Sequence, residues 1–486
     1  MSARLLYFII GVLCVLAVLI FYKKQKNSTP VIFTLVIGAF FLRLSASLFP
    51  YLHEWDERYH ALVAKNLGEN FLSPRLYPVD LLDYNYQDWS ANFIWLHKQP
   101  FPLWCIAASL KLFGNNEFAV RLPSILLSTA AVLLTFFIGK WLFSYRIGIW
   151  AAVFHSLNGL IIEMTGGGAP TDHIDIFFMF FIELSIFLSV LSRYKLANKM
   201  PAQTLLAFLT GITIGIALLC KWLPALIVVP IYALLHWKGK NWLLNTGYVI
   251  ISAAMVACPW QLYAVQNFPL EYGYEMDYNK RHFWEVLEGH AHAFYYHFDR
   301  ARIFWNEMVY LPLLWLIIRI LKKTPQPSLL LLAVWIFIPY LFFSIAATKM
   351  PAYTLFTGPA VFVVQALFIR DIQYCRVKPL GLTIKVLFFL LAFRYCFERV
   401  KPFEKESADI AAKREMVEYL KNKERTVVFN VEDYVEIMFY TDCIAYNRVP
   451  TPAEIQKLVS LRYNIIIVNG ENIPATLRTD PNIQIL

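Results

Sequence analysis

The chain has 486 residues, 58% of them hydrophobic and only 16% charged, with a mean hydropathy of +0.50. That balance excludes a soluble globular protein of this size, and a net charge of +10 carried by short scattered loops excludes a nucleic-acid-binding surface. Seven cysteines with no CxxC or other metal-ligand spacing exclude a zinc site or a disulfide framework.

Apolar runs of bilayer-crossing length recur along the chain, and about twenty such residues cover the hydrocarbon core. About twelve are read as spans: Leu5–Tyr22, Val31–Phe49, Leu122–Ile138, Ile147–Ile162, Ile174–Leu191, Leu205–Cys220, Trp222–Leu235, Leu243–Leu262, Ile303–Leu321, Leu329–Ala347, Ala352–Ile369 and Leu380–Phe393. The first has a single basic residue before it, Arg4, and no small-x-small cleavage site before "KKQK". It therefore reads as a retained anchor. The basic residues fall in alternate loops: Lys23, Lys24 and Lys26; Lys140 and Arg146; Arg193, Lys195 and Lys199; Lys238 and Lys240; Arg319, Lys322 and Lys323; Arg370, Arg376 and Lys378. By the positive-inside rule these loops are cytoplasmic, and the N-terminus, the intervening loops and the C-terminal segment lie outside. "NST" at Asn27 matches a glycosylation acceptor but falls in a loop read as cytoplasmic, so it is taken as a chance match.

Three regions are not simple spans. An outside loop from about Pro50 to Arg121 is rich in Trp, Tyr, Asp and Asn, and carries "PFPLWCIAASLKLFG", too short and Pro-flanked for a span. That piece reads as an amphipathic helix lying in the interface. A second outside loop, about Tyr263 to Arg302, holds four histidines among aromatic residues. After about Lys401 the composition changes. "REMVEYLKNK" and "TPAEIQKLVSLR" have helical character, while "TVVFNV" and "YNIIIVNG" read as buried strands. The expected organisation is a transmembrane domain over 1–400, with large outside loops at 50–121 and 263–302, and a small extracytoplasmic α/β domain over 401–486.

Ionisable residues at a membrane are costly and default to functional candidates. The polar clusters are Glu54, Asp56, Glu57 and Arg58; His97 and Lys98; Asp172, His173 and Asp175; Arg281 and His282; and Lys349 with Tyr353. All fall on the side read as outside, which leads to the expectation of one extracytoplasmic cavity. Asp56 and Glu57 open a helical "DERYHALVAKNL", where first-turn acids also suit the helix dipole without any catalytic role. Asp172 and Asp175 open the fifth span, where capping is the plainer reading. Acids from separate loops accompanied by Lys98 suit acid–base work beside an anion. Lys98 and Arg281 suit phosphate, as a point charge and as a fork respectively. "GGGAP" lacks the Gly-Lys-Ser/Thr of a phosphate loop and reads as a turn. His290, His292 and His297 lack a matched carboxylate spacing for metal binding. Arg43 and Glu183 read as buried structural partners, and Lys221 as a lysine snorkelling from the end of its span.

The acidic "DE" pair after an early span is followed by "ALVAKNL", "HKQPFPLW", "FGNNEFAVRLPSIL", "TDH", "CPWQLYA" and "TKMPAYTLFTGPA". In this order the motifs resemble the bacterial protein-mannosyltransferase and aminoarabinose-transferase branch of the GT-C membrane glycosyltransferases, over roughly residues 30 to 370. "FGNNEFAVRLPS" with the upstream "DE" is the most specific part. Departures are the Arg58 that directly follows the pair and "KQP" in place of "KPP". The resemblance implies a polytopic helical fold and transfer of a sugar from a polyprenyl-phosphate carrier to lipid A, a glycan or a protein at the periplasmic face of the inner membrane. It implies catalytic acids at Asp56, Glu57 and Asp172, carrier-phosphate contacts from Lys98, Arg281, Lys349 and Tyr353, and further substrate contacts from Arg58, His173 and His282. Inversion by single displacement is expected. No cofactor is required by the sequence, and a divalent cation between the acids is left open. A secondary transporter and a lipid-linked-oligosaccharide ligase are the alternatives; a transporter would be expected to show the internal repeats that this sequence lacks.

Overall fold

The computed structural model describes residues 2–22, 29–170, 173–196, 199–322, 326–372, 378–404, 407–470 and 473–486. The chain divides into two compact units, residues 1–48 with 123–403, and residues 49–122 with 404–486.

The first unit is helical. Across the described residues, nine helices are long and apolar enough to cross a membrane: Ala3–Phe21, Thr29–Ser47, Glu117–Leu142, His173–Lys195, Met200–Lys221, Trp242–Asn267, Pro327–Ile345, Pro351–Ile372 and Lys378–Val400. Two further expected spans are bent pairs, Tyr145–Ser156 with Gly159–Thr165 at 54° and Tyr296–Trp305 with Tyr310–Lys322 at 115°. The twelfth, expected at Trp222–Leu235, is a shorter apolar helical segment, Leu223–His236. An α-helix satisfies its backbone internally, which hydrocarbon demands, and its apolar side chains can then face either lipid or protein. The outer helices show this: Leu13 and Ile20 on the first are 58% and 60% exposed.

Small residues set the close crossings. A Cβ on Gly211 would lie 2.2 Å from the Val249 carbonyl oxygen and 1.9 Å from Ser252 Oγ, so Met200–Lys221 and Trp242–Asn267 meet backbone to backbone there. Inside the unit Arg43 is fully buried. Its Nε donates to Ser128 Oγ at 2.6 Å, and its terminal nitrogens donate to the carbonyls of Ala39, His155 and Ser156. Glu183, also fully buried, accepts from Thr135 Oγ1 at 2.5 Å. Serine, threonine and backbone partners thus replace part of the hydrogen bonding that these two side chains lose on leaving water.

The second unit contains a four-stranded parallel sheet in the order β2-β1-β3-β4, with β1 Thr426–Phe429, β2 Ile444–Tyr446, β3 Asn464–Ile467 and β4 Ile483–Ile485. Burial on both faces explains the unbroken apolar runs of β1 and β3. Helix Pro452–Ser460 starts with a capping box: Thr451 Oγ1 accepts from the Glu454 amide while Glu454 accepts from the Thr451 amide.

The sequence reading drew the 50–121 loop with the membrane domain. In the structure that loop packs with the tail. Helix Asp56–Leu67 lies against Tyr434–Tyr440, joined by Arg58–Glu436 at 3.2 Å and by the Tyr59 and Tyr434 hydroxyls at 2.9 Å. Lys65 Nζ donates to the carbonyls of Met438, Phe439 and Thr441 at 2.8, 3.1 and 2.8 Å. These are the last-turn carbonyls that a helix leaves without internal partners, and a cation suits them.

Candidate active site

Asp56 is the first residue of helix Asp56–Leu67. The residue before it, Trp55, has φ of 72°, an uncommon value for a non-glycine residue, and this turns the chain sharply into the helix. Lys98, just before helix Pro100–Phe113, brings its Nζ to 3.3 Å from Asp56 Oδ2. Both side chains are part-buried. Burial alone would push the Asp56 carboxyl up, but the Lys98 ammonium, helped by His60 and His97, outweighs it and holds the group below the usual carboxylate range. The His97 ring stacks on Trp89 with centroids 4.6 Å apart, which fixes the backbone next to Lys98.

Glu57 was expected beside Asp56 as a second acid, but it is fully buried and held in a fork by Arg121, itself fully buried. Nε reaches Oε1 at 2.7 Å and an Nη reaches Oε2 at 3.0 Å. Arg121 also donates to the carbonyls of Phe49 and Tyr51, and the His53 amide donates to Glu57. This network fastens the loop before Asp56 and leaves Glu57 no solvent-facing surface. Arg58, expected at substrate, is instead used on buried Glu436. Arg121 lies inside "FGNNEFAVRLPS", but its pairing with a residue 64 positions earlier has no local signal.

In the first unit, Asp175 is buried and paired with Lys221, whose ammonium lies 5.3 Å from the Tyr353 ring centroid. The sequence reading gave Lys221 no partner and weighed Asp175 as a helix cap; the two are 46 residues apart. Lys349 is also buried, with Nζ donating to the Ala346 carbonyl at 2.7 Å and its amide donating to His290 O at 3.2 Å. The Thr348 amide donates to His282 O at 3.0 Å, so the 282–290 and 347–349 segments run side by side. His282 Nδ1 bonds the Tyr278 carbonyl at 2.8 Å. His173 is fully buried against Ser124 Oγ at 2.7 Å. Arg281 departs from its expected phosphate role: it forms a half-exposed pair with Glu285 on its own helix at 2.8 Å. Asp172 and Asn27 lie outside the described residues. Gly167 in "GGGAP" has φ of 78°, in keeping with a turn.

A divalent cation needs several oxygen ligands. Among the described residues no group of three or more His, Cys, Asp or Glu comes together, and Asp56 and Asp175 each already face a lysine ammonium.

The fold has counterparts among known proteins. Residues 97–263 match the family of dolichyl-phosphate-mannose-protein mannosyltransferases. The structure is similar to ArnT from Cupriavidus metallidurans bound to undecaprenyl phosphate, with a TM-score of 0.64 at 13% identity, over 92% of this chain and 87% of that one. The chain has the GT-C fold. A second GT-C structure, the apo oligosaccharyltransferase of Archaeoglobus fulgidus, superposes with a TM-score of 0.56 at 13% identity, over 90% of this chain and 66% of that one. In sequence the chain is 30% identical over 290 residues to the undecaprenyl phosphate-alpha-4-amino-4-deoxy-L-arabinose arabinosyl transferase of Pseudomonas paraeruginosa, covering 55% of this chain and 49% of that one. The chain spans about half the length of the curated relatives it matches. The resemblance read from the motifs is borne out, and so is the expected GT-C architecture.

Proposed function

We propose that the chain is an inverting glycosyltransferase that takes a sugar from a polyprenyl-phosphate carrier and places it on an acceptor hydroxyl at the periplasmic face of the inner membrane. The observation that carries this reading is the Asp56–Lys98 pair at the start of a helix in a GT-C fold. In one displacement the acceptor oxygen bonds to the anomeric carbon as the bond from that carbon to the phosphate oxygen breaks. The polyprenyl phosphate leaves with the electron pair, and the acceptor proton passes to Asp56. A carboxylate held ionised at neutral pH is ready to accept that proton. Lys98 then serves the departing phosphate as a point charge. Where the acceptor is itself a phosphate, no proton moves and Asp56 acts by positioning.

Glu57 is assigned a positioning role: through Arg121 it holds the carbonyls of Phe49 and Tyr51 and so the approach to Asp56. Lys349 and Tyr353 are retained as candidates for contact with the carrier phosphate, and Asp175 holds Lys221. Asp172, His173 and His282 are retained as candidates for substrate contact. The relatives' names include undecaprenyl phosphate as carrier, which supports a polyprenyl donor here.

The test incubates purified full-length protein with labelled polyprenyl-phosphate sugars and membrane extract, and identifies the labelled product by mass spectrometry. Asp56→Asn and Lys98→Ala each lower transfer by about 10²-fold or more while the protein still inserts and melts normally. Undiminished transfer in both variants would refute the assignment.

A further inference from the structure

A cavity of about 420 Å³ opens in the second unit at the carboxyl end of β2. Tyr446 ends that strand and, with Asn447 and Arg448, lines the cavity, while the rest of the lining comes from residues 77–93. Ligands of parallel sheets bind outside the carboxyl ends of the strands, and the volume falls in the range of roughly 300–1,000 Å³ usual for small-molecule sites.

The lining has a definite chemistry. Exposed Tyr84 and half-buried Phe93 supply aromatic surface, with ring centroids 5.9 Å apart, while Tyr77 and Tyr446 are buried beneath and stack on each other at 5.0 Å. Asp80 and Asp83 are exposed carboxylates of the same lining. Arg448 gives both terminal nitrogens to Glu454, at 2.9 and 2.6 Å, so its charge is already neutralised and the lining as a whole is negative. Aromatic surface takes the C–H face of a sugar ring, and carboxylates accept strong charge-assisted hydrogen bonds from hydroxyl or ammonium groups. A phosphate or carboxylate ligand would meet like charge.

We infer that this cavity binds a sugar without phosphate, either neutral or amine-bearing, as the glycan part of the acceptor. Naming it the acceptor rests on the transferase reading; binding itself does not. The route from cavity to the acid–lysine pair is short in the fold. Asp88 lines the cavity, and the next residue, Trp89, carries the ring that stacks on His97 beside Lys98. Tyr59, from the helix that Asp56 begins, packs edge-on to the same Trp89 at 5.1 Å.

The experiment applies detergent-purified full-length chain, without donor, to an array of neutral, amine-bearing and phosphorylated oligosaccharides. Retention of non-phosphorylated glycans is expected, falling at least tenfold in Asp80→Asn/Asp83→Asn, whose side chains are exposed and leave the fold intact. Tyr84→Ala is the second variant, accepted only where its melting curve matches the parent. Absence of any retained glycan, preference for the phosphorylated members, or equal retention by the double aspartate variant would each overturn the proposal. Asp56→Asn separates the two readings. It keeps full glycan retention while transfer is lost, so a failure of the transferase assignment leaves the binding result standing, and the reverse.

Discussion

At Asp56 two opposing effects meet, and the margin between them sets the chemistry. Burial favours the neutral carboxylic acid, while Lys98 at 3.3 Å favours the carboxylate and prevails. The ordinary value is near 3.8, and the folded value lies below it, so activity that depends on ionised Asp56 is lost only as pH falls through that lower value. The parent enzyme therefore shows no acidic limb from Asp56 between about pH 5 and 8. Removing Lys98 leaves burial as the leading effect. The residual activity of Lys98→Ala then falls at a higher pH than in the parent, which a pH–rate profile of both proteins reads directly. A profile unmoved on the acid side would show that Lys98 does not control Asp56.

Among the elements, helix Asp56–Leu67 is held by more than its own hydrogen bonds. Arg58 and Glu436 join it to Tyr434–Tyr440, and Glu436 is fully buried. Arg58→Ala leaves that carboxylate without its cation and is expected to cost about 3 kcal/mol. Arg58→Met combined with Glu436→Leu recovers most of the loss, and thermal melts of the three proteins distinguish a broken buried pair from a merely lost contact. Helix Pro452–Ser460 offers a milder test. Arg448, together with the capping box, holds Glu454 at about 2, against an ordinary 4.5. A depressed folded value means the stabilisation is complete above about pH 4.5 and lost as pH falls toward 2. Glu454→Gln flattens the acid side of the stability curve in that window, and Thr451→Ala costs about 1 kcal/mol at neutral pH.

For the whole molecule, the second unit is built from two stretches of chain that each lack a complete core. Leu62, Val63 and Leu67 from the loop share one apolar core with Val427, Phe429 and Ile465 from the tail. Residues 404–486 expressed alone are therefore expected to show no cooperative melt, whereas 49–122 fused to 404–486 shows one; a cooperative transition in the isolated tail would contradict this. Much of the helical unit was legible in the sequence, because membrane-length apolar runs carry their own signal, and β1 and β3 were legible as unbroken apolar runs. β2 and β4, at three residues each, are too short to stand out. The bends at Asn158 and at residues 306–309 fall inside stretches that each read as one apolar span. In the candidate site, Asp56 and Lys98 could be read because both sit in motifs. Arg121 beneath Glu57 and Lys221 beside Asp175 could not, since charge pairing across 64 and 46 positions is a property of the fold and not of any window of sequence.

The contact between Arg58 and Glu436 spans 378 positions. During synthesis at roughly 5–20 residues per second, the helix that begins with Asp56 waits roughly 20–75 s for its partner to be made. Over that interval the loop that carries Asp56 and Lys98 lacks the surface that completes its core. A ribosome that stops short of the tail thus releases a chain whose helices can insert but whose acid–lysine pair has no finished support. The acid–lysine pair thus gains its finished support only once residues 434–440 have been made.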